Sequence, residues 1–295
     1  MNTTYKDFQS NFKIFAKKRP DLIINILSNI FTMRLIGNKT HGDMAEIGLA
    51  EFINQFMYDY NCEHVGKDLF RAKTHEEDIL VKDELTQATI PISLKAYGDG
   101  PLQLSTDKDA SMYPSLESIG IEDITDREII TDVFASDAFS ALQNVNVMPL
   151  IYKEKTMKCN IMVFDFDKML SETKRILKVP ANKKYDEKLK QIIVAKGRKH
   201  PIYMFLNAEG KYICEVRYGG AAANALQRGF WTHTINACSY FNSLTNGWIS
   251  YEHNQILVEL FRLALNASKQ GHEAANKALQ EDINNMFNQG NKNAI

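Results

Sequence analysis

The chain has 295 residues, 44% of them hydrophobic and 24% charged, which are ordinary proportions for a globular protein with ample material for a core. A formal net charge of −1 gives no sign of a nucleic-acid binder, and no run of about 18 apolar residues exists to form a transmembrane helix, so no membrane partner is expected. Cys62, Cys159, Cys214 and Cys238 are scattered without a C-x-x-C pair, which argues against a zinc module and for reduced thiols; with no apolar segment after the opening MNTTYKDFQ, the expected location is the cytoplasm.

Residues 5–36 carry helical periodicity broken at Pro20. Tyr5, Phe8, Phe12 and Phe15 form the first apolar stripe, and Leu22, Ile23, Ile26, Leu27, Ile30 and Leu35 the second, as packing or as a dimer surface. Residues 37–43 read as a loop and 44–60 as a helix, with Asp43 as N-cap and Glu46 completing a capping box. Ile79, Leu80 and Val81 begin a β-hairpin whose second strand covers residues 90–94, with a polar connection between. A Gly98–Asp99–Gly100–Pro101 turn leads to a short strand at residues 102–106 that contains Gln103.

Residues 111–124 are expected to be irregular, and 125–142 to form a single helix. Strands follow at 148–153 and 160–165. The basic segment 168–196 reads as two short helices split at Pro180. A second hairpin spans 201–207 and 211–218. The stretch YGGAAANALQRGFWTHT reads as a loop leading into a helix, and C-terminal helices are expected at 257–265 and 274–287.

Charge is unevenly placed. Between residues 76 and 137 acidic side chains outnumber basic ones roughly fourfold. Between 174 and 199 the balance reverses, with Lys183, Lys184, Arg198 and Lys199 among many cations facing only Asp186 and Glu187. An acidic region able to hold a cation and a basic region on one chain suit a phosphodiester substrate; a solvated face is the alternative for the basic run.

The hairpin carries the sharpest signal. Asp78 enters its first strand and Lys95 leaves its second, so the two can meet at one end of a sheet beside a scissile phosphate. Asp78, the triplet Ser93–Leu94–Lys95 and the upstream helical Glu46 together resemble the PD-(D/E)XK nuclease superfamily, most closely its type II restriction endonucleases. In that family an Asp opens one strand and a (D/E)-X-K triplet lies on the next. Here Glu77–Asp78 stands where the family has Pro-Asp, and Ser93 stands where it usually has an acidic residue. Some restriction enzymes carry S-X-K and recruit a carboxylate from a helix; Glu46 is the candidate, with Glu77 and Glu51 as weaker ones. Gln103 resembles a polar residue that some members place just beyond the lysine.

The resemblance implies an α/β (α+β) fold: a central mixed sheet of the nuclease core flanked by helices, with helical N- and C-terminal segments. It implies one nuclease domain over 1–295, with the catalytic core at about 40–165 and DNA recognition plus C-terminal helices at about 166–295. It also implies Mg²⁺ held by Asp78, Glu46 and Glu77, with Lys95, Ser93 and Gln103 completing the catalytic set. The expected partners are double-stranded DNA and a second copy of the chain, because two sites on a two-fold axis match a palindrome. Asn, Gln and Arg side chains read adenine and guanine edges, so Arg217, Asn224, Gln227 and Arg228 are candidates for recognition, and His41 and Lys39 for phosphate contact. The alternatives are a structure-selective repair or recombination nuclease of the same superfamily, a non-catalytic DNA-binding or assembly protein, and a hydrolase of another phosphate ester.

Overall fold

Two helices open the chain and break at a proline. In the computed structural model, which describes residues 3–37, 41–65, 77–98, 100–144, 146–220, 223, 228–234, 240–267, 277 and 281, α1 spans Thr3–Lys18 and α2 spans Pro20–Gly37. Pro20 takes the first position of α2, where its missing N–H would have no intrahelical partner in any case. Tyr5, Phe8 and Phe12 from α1 and Ile23, Leu27 and Ile30 from α2 are buried within the chain itself, so this apolar face packs internally. Helix α3 spans His41–Phe56. It starts before Asp43, which therefore lies within the helix instead of capping it, and it stops short of Tyr60. Of the expected loop over 37–43, Gly37 ends α2 and residues 41–43 belong to α3, and Tyr60 instead opens a strand.

The first sheet forms from β1 (Tyr60–His64), β2 (Ile79–Asp83) and β3 (Thr89–Tyr97). Along β3 the residues alternate: Ile90, Ile92 and Leu94 are buried against the N-terminal helices, while Pro91, Ser93 and Lys95 lie on the other face. The β2–β3 turn is held by Asp83, whose Oδ1 accepts from Leu85 N at 2.9 Å and Thr86 N at 3.1 Å. Those two amides hold the Asp83 carboxyl below the usual carboxylate range.

After β3 the chain crosses to a second sheet through β4 (Pro101–Thr106). Residues 111–124 are ordered, contrary to the sequence expectation: α4 spans Met112–Ser118 and β5 spans Asp123–Ile124. The signal missed was Asp107, which accepts from Ser111 N at 2.9 Å and Met112 N at 2.8 Å and so starts the helix from outside it. The single helix expected over 125–142 is split by extended backbone at Ser136 into α5 (Arg127–Ala135) and α6 (Asp137–Ser140), followed by a 3-10 turn at Ala141–Asn144. Strands β6 (Val147–Lys153) and β7 (Lys158–Phe164) agree with the sequence reading.

The basic segment is the largest departure. Instead of two helices split at Pro180 it contains α7 (Phe166–Glu172), β8 (Arg175–Val179) and a hairpin of β9 (Lys183–Asp186) and β10 (Gln191–Val194). Lysines mask the alternation there, because a long side chain can lay its stem on apolar surface and keep its ammonium in water. β11 (Ile202–Leu206) and β12 (Tyr212–Arg217) form the expected second hairpin. The expected helix after the glycine-rich stretch is instead a strand, β13 (Gly229–His233). Gly229 has φ +128°, and a Cβ there would meet Ser105 O at 2.1 Å, so only glycine allows β13 to approach β4 this closely. β14 (Phe241–Ser243), β15 (Ile249–Ser250) and α8 (Gln255–Ala267) follow. The helix expected over 274–287 lies almost wholly outside the described residues.

The fold is α+β with a mixed sheet. The seven-stranded sheet runs β1-β2-β3-β6-β7-β14, with β15 also on β7, and only β3 and β6 are parallel. The six-stranded sheet, β4-β13-β12-β11-β8-β5, is antiparallel throughout. One core lies between α1–α3 and the first sheet. A second lies between the sheets and gathers Tyr113, Phe134, Phe139, Phe164, Phe205 and Phe230. A third, smaller core seats the β9–β10 hairpin on the second sheet through Tyr185, Val179, Ile202 and Leu206. Cys62, Cys159 and Cys214 are free and buried; burial pushes the Cys62 and Cys159 thiols up to about 12, which keeps them protonated and unreactive. Among the described residues no helix is long and apolar enough to cross a membrane.

Two substitutions check this account. Gly229→Ala should lower unfolding stability by at least about 2 kcal/mol in a urea titration, through steric clash and backbone strain. Asp83→Ala should lower it by about 1 kcal/mol at pH 7. Because the folded-state pKa of Asp83 is depressed, its contribution is fully present above about pH 4 and is lost as pH falls through the depressed value. The gap between variant and parent should therefore narrow in acid.

Candidate functional site

Asp78 sits immediately before β2, at the end of the β2–β3 ladder. Ile79 pairs with Ile92, and the paired part of β2 reaches no further back. Among the described residues the Leu94 amide has no backbone acceptor on that side, and Asp78 Oδ2 accepts it at 2.7 Å. The same oxygen accepts from Ser93 Oγ at 3.1 Å and from Lys95 Nζ at 3.4 Å. The Asp78 backbone is fixed as well, with its N–H donating to Ile92 O at 3.0 Å and its carbonyl accepting from Val65 N at 3.1 Å. Ser93 is fixed from the other side, its N–H donating to Asn146 O at 3.0 Å. Side-chain exposures of 23% for Asp78 and 32% for Lys95 leave the ion pair reachable by solvent and substrate.

Glu46 arrives from α3 and is buried, with Oε2 2.9 Å from His64 Nε2. His64 pairs with Ile79, and directly paired residues share a face of the sheet. His64 therefore lies on the helix-facing side, where Ile79 is buried, while Ser93 and Lys95 project from the other. The Glu46–His64 pair is thus at the same end of the sheet as Asp78, one strand over. The sequence reading placed Glu46 directly beside Asp78, whereas the partner the structure supplies for it is His64. This histidine was missed, although Tyr60, Cys62 and His64 alternate in the manner of a half-buried strand.

The remaining candidates separate. Ser93 joins Asp78 as described, and Glu77 directly precedes it. Gln103 does not join them: it lies on β4 in the second sheet, opposite Trp231, with Nε2 donating to Thr106 Oγ1 at 3.0 Å. Its closeness to Lys95 in sequence misled because β3, which ends at Tyr97, and β4, which starts at Pro101, belong to different sheets. Arg217 ends β12, with Nε donating to Glu215 Oε1 at 2.7 Å and its guanidinium 3.9 Å from the Trp231 ring centroid. Arg228 turns back onto its own loop, Nη2 donating to Ala223 O at 2.8 Å. His41 is the first residue of α3, and Lys39, Asn224 and Gln227 lie outside the described residues.

Among the described residues no group of three or more His, Cys, Asp and Glu side chains is placed to hold a metal ion. Mg²⁺ does not require one. It takes hard oxygen ligands, keeps several waters, and is often bound through one or two carboxylates plus substrate phosphate. Asp78 supplies an oxygen donor of that kind, with solvent beside it for waters and a substrate phosphate, so one carboxylate fits; Glu46 is engaged with His64 on the helix-facing side and does not share that face. The chain matches no protein-family model, no curated protein and no solved structure.

Asp78 has a structural role that any functional test must separate from chemistry. Asp78→Ala leaves the Leu94 amide unpaired and should lower stability by about 1–2 kcal/mol. Lys95→Ala removes only a partly exposed ion pair and should cost less than about 1 kcal/mol. Urea unfolding of the two variants measures the difference.

Proposed function

We propose that this chain is a Mg²⁺-dependent endonuclease of the PD-(D/E)XK superfamily, a type II restriction endonuclease that cleaves double-stranded DNA at a short specific sequence. The observation that carries the reading is the Lys95–Asp78 contact of 3.4 Å at the open end of a hairpin in a mixed sheet, preceded by a helix bearing a buried carboxylate. When bound, Mg²⁺ would acidify a water and offset the charge that develops on the phosphorane.

Asp78 would be the principal ligand for the cation. Ser93 and the Leu94 amide fix that carboxylate. Glu46, bound to His64 on the helix-facing side, is set aside as the second carboxylate, and Glu77, directly before Asp78, is the candidate that remains. The Lys95 ammonium, on the exposed side of β3, is placed to orient the attacking water and a phosphate oxygen as a positioned point charge. Arg217, Arg228, Asn224, Gln227, His41 and Lys39 remain candidates for DNA contact, and a homodimer would match two such sites to a palindrome.

One observation favours a second reading. Asp78 satisfies an otherwise orphaned amide, so the cluster also makes sense as a structural latch in a protein that binds DNA without cutting it.

Digestion of a plasmid of known sequence with Mg²⁺, followed by mapping of the ends, decides between them. Discrete fragments with defined termini are expected. A smear or cutting confined to junctions would point to a structure-selective nuclease, and intact plasmid to the non-catalytic reading. Lys95→Ala should lower the cleavage rate by at least about 100-fold while DNA binding in Ca²⁺ persists. Undiminished cutting by that variant would remove Lys95 from the active site.

A further inference from the structure

Between the β9–β10 hairpin and the second sheet an open pocket of about 530 Å³ borders the small core, with Tyr185, Ile202 and Met204 of that core in its lining. That volume falls within the range of small-molecule sites. Its floor is Ile202 and Met204 of β11 and Tyr212 of β12, and Lys183, Lys184, Lys196, Arg198 and Arg217 surround it.

The carboxylates in the wall are already engaged. Glu215 accepts from Arg217 Nε at 2.7 Å, and Glu187 accepts from Tyr212 N at 3.2 Å. Lys183 and Lys196 have no carboxylate partner among the described residues. Arg198 uses Nη2 on the carbonyls of Pro180 and Lys183, while its Nε is buried without a partner. That Nε is out of a ligand's reach, so Arg198 brings its charge to the site and no hydrogen bond from that atom. Burial lowers the Arg198 pKa, the Glu215 carboxylate opposes that shift and the Arg217 charge adds to it.

A bare inorganic anion would use the cations but leave the apolar floor wet. A ligand with a phosphate at one end and a flat, weakly polar body at the other satisfies both. We infer that the cavity is a nucleotide-binding site, with the phosphate toward Lys183, Lys196 and Arg198 and the base over Ile202, Met204 and Tyr212. The nucleotide is either free or a unit of a polynucleotide turned out of its stack. The inference stands on this cavity and does not depend on the Asp78–Lys95 cluster.

Calorimetry on the full chain without Mg²⁺ tests it, using each of the four deoxynucleoside 5′-monophosphates, the matching nucleosides and inorganic phosphate as probes. At least one monophosphate should bind at least about tenfold more tightly than its nucleoside or phosphate alone, with affinity falling as salt rises. Lys183→Ala combined with Lys196→Ala should weaken that binding at least about tenfold without changing thermal unfolding, since both lysines are exposed. Arg198→Ala is a poorer probe because its guanidinium also holds the hairpin backbone.

A short single-stranded oligonucleotide identifies the source. Binding at least about tenfold tighter than the monophosphate, and displaced by it, assigns the cavity to a unit of a chain; equal binding assigns it to a free nucleotide. No monophosphate binding at millimolar concentration, equal binding of phosphate alone, or affinity unchanged in the double-lysine variant would overturn the inference.

Discussion

At Leu94 the first sheet has an amide with no backbone acceptor among the described residues. β3 continues past the point where β2 begins, and an N–H left without an acceptor in a partly buried sheet is expensive. The Asp78 carboxylate resolves this at 2.7 Å and, in doing so, becomes an immobile anion at the end of the hairpin. Ser93 and Lys95, on the same face of β3, then converge on the oxygen that the amide has positioned. The charge cluster is therefore a consequence of how the sheet ends. The hydrogen bond that completes the fold also builds the site.

The two sheets distribute the remaining chemistry. β3 belongs to the first and β4, only a short turn later, to the second. Gly98 allows part of this crossing, because a Cβ there would lie 3.3 Å from the Tyr152 ring. The core between the sheets is rich in Phe and Tyr contributed by both, so the sheet that carries Asp78 and Lys95 is packed against the one that carries the basic hairpin. The acidic and basic halves of the sequence thus become parts of one packed body, with the cations gathered around the hairpin on the outer face of the second sheet. A chain with almost no net charge can in this way present a strongly cationic surface locally.

Legibility in the sequence followed the strength of local pattern. The N-terminal helices, the β2–β3 and β11–β12 hairpins and the β6–β7 pair were visible because apolar residues recur at one period, bounded by turn residues or proline. The Asp78–Lys95 meeting was legible for the same reason: a hairpin of that length brings the start of one strand to the end of the next. The β9–β10 hairpin was hidden by its lysines, and α4 by a cap at Asp107 that lies outside the helix it starts. Gln103 was misplaced because nearness in sequence does not reveal a change of sheet.

By itself the sequence determined the elements whose side-chain period is self-consistent, and with them the Asp–Lys pair at the end of a hairpin. Only the tertiary structure decided that Glu46 would be held by His64, that β13 would pair with β4 through a glycine, and that cations of the basic segment would line one open pocket. Each of these depends on which strands become neighbours. Pairing is set by burial of whole faces between residues far apart in the chain, and no local periodicity encodes it.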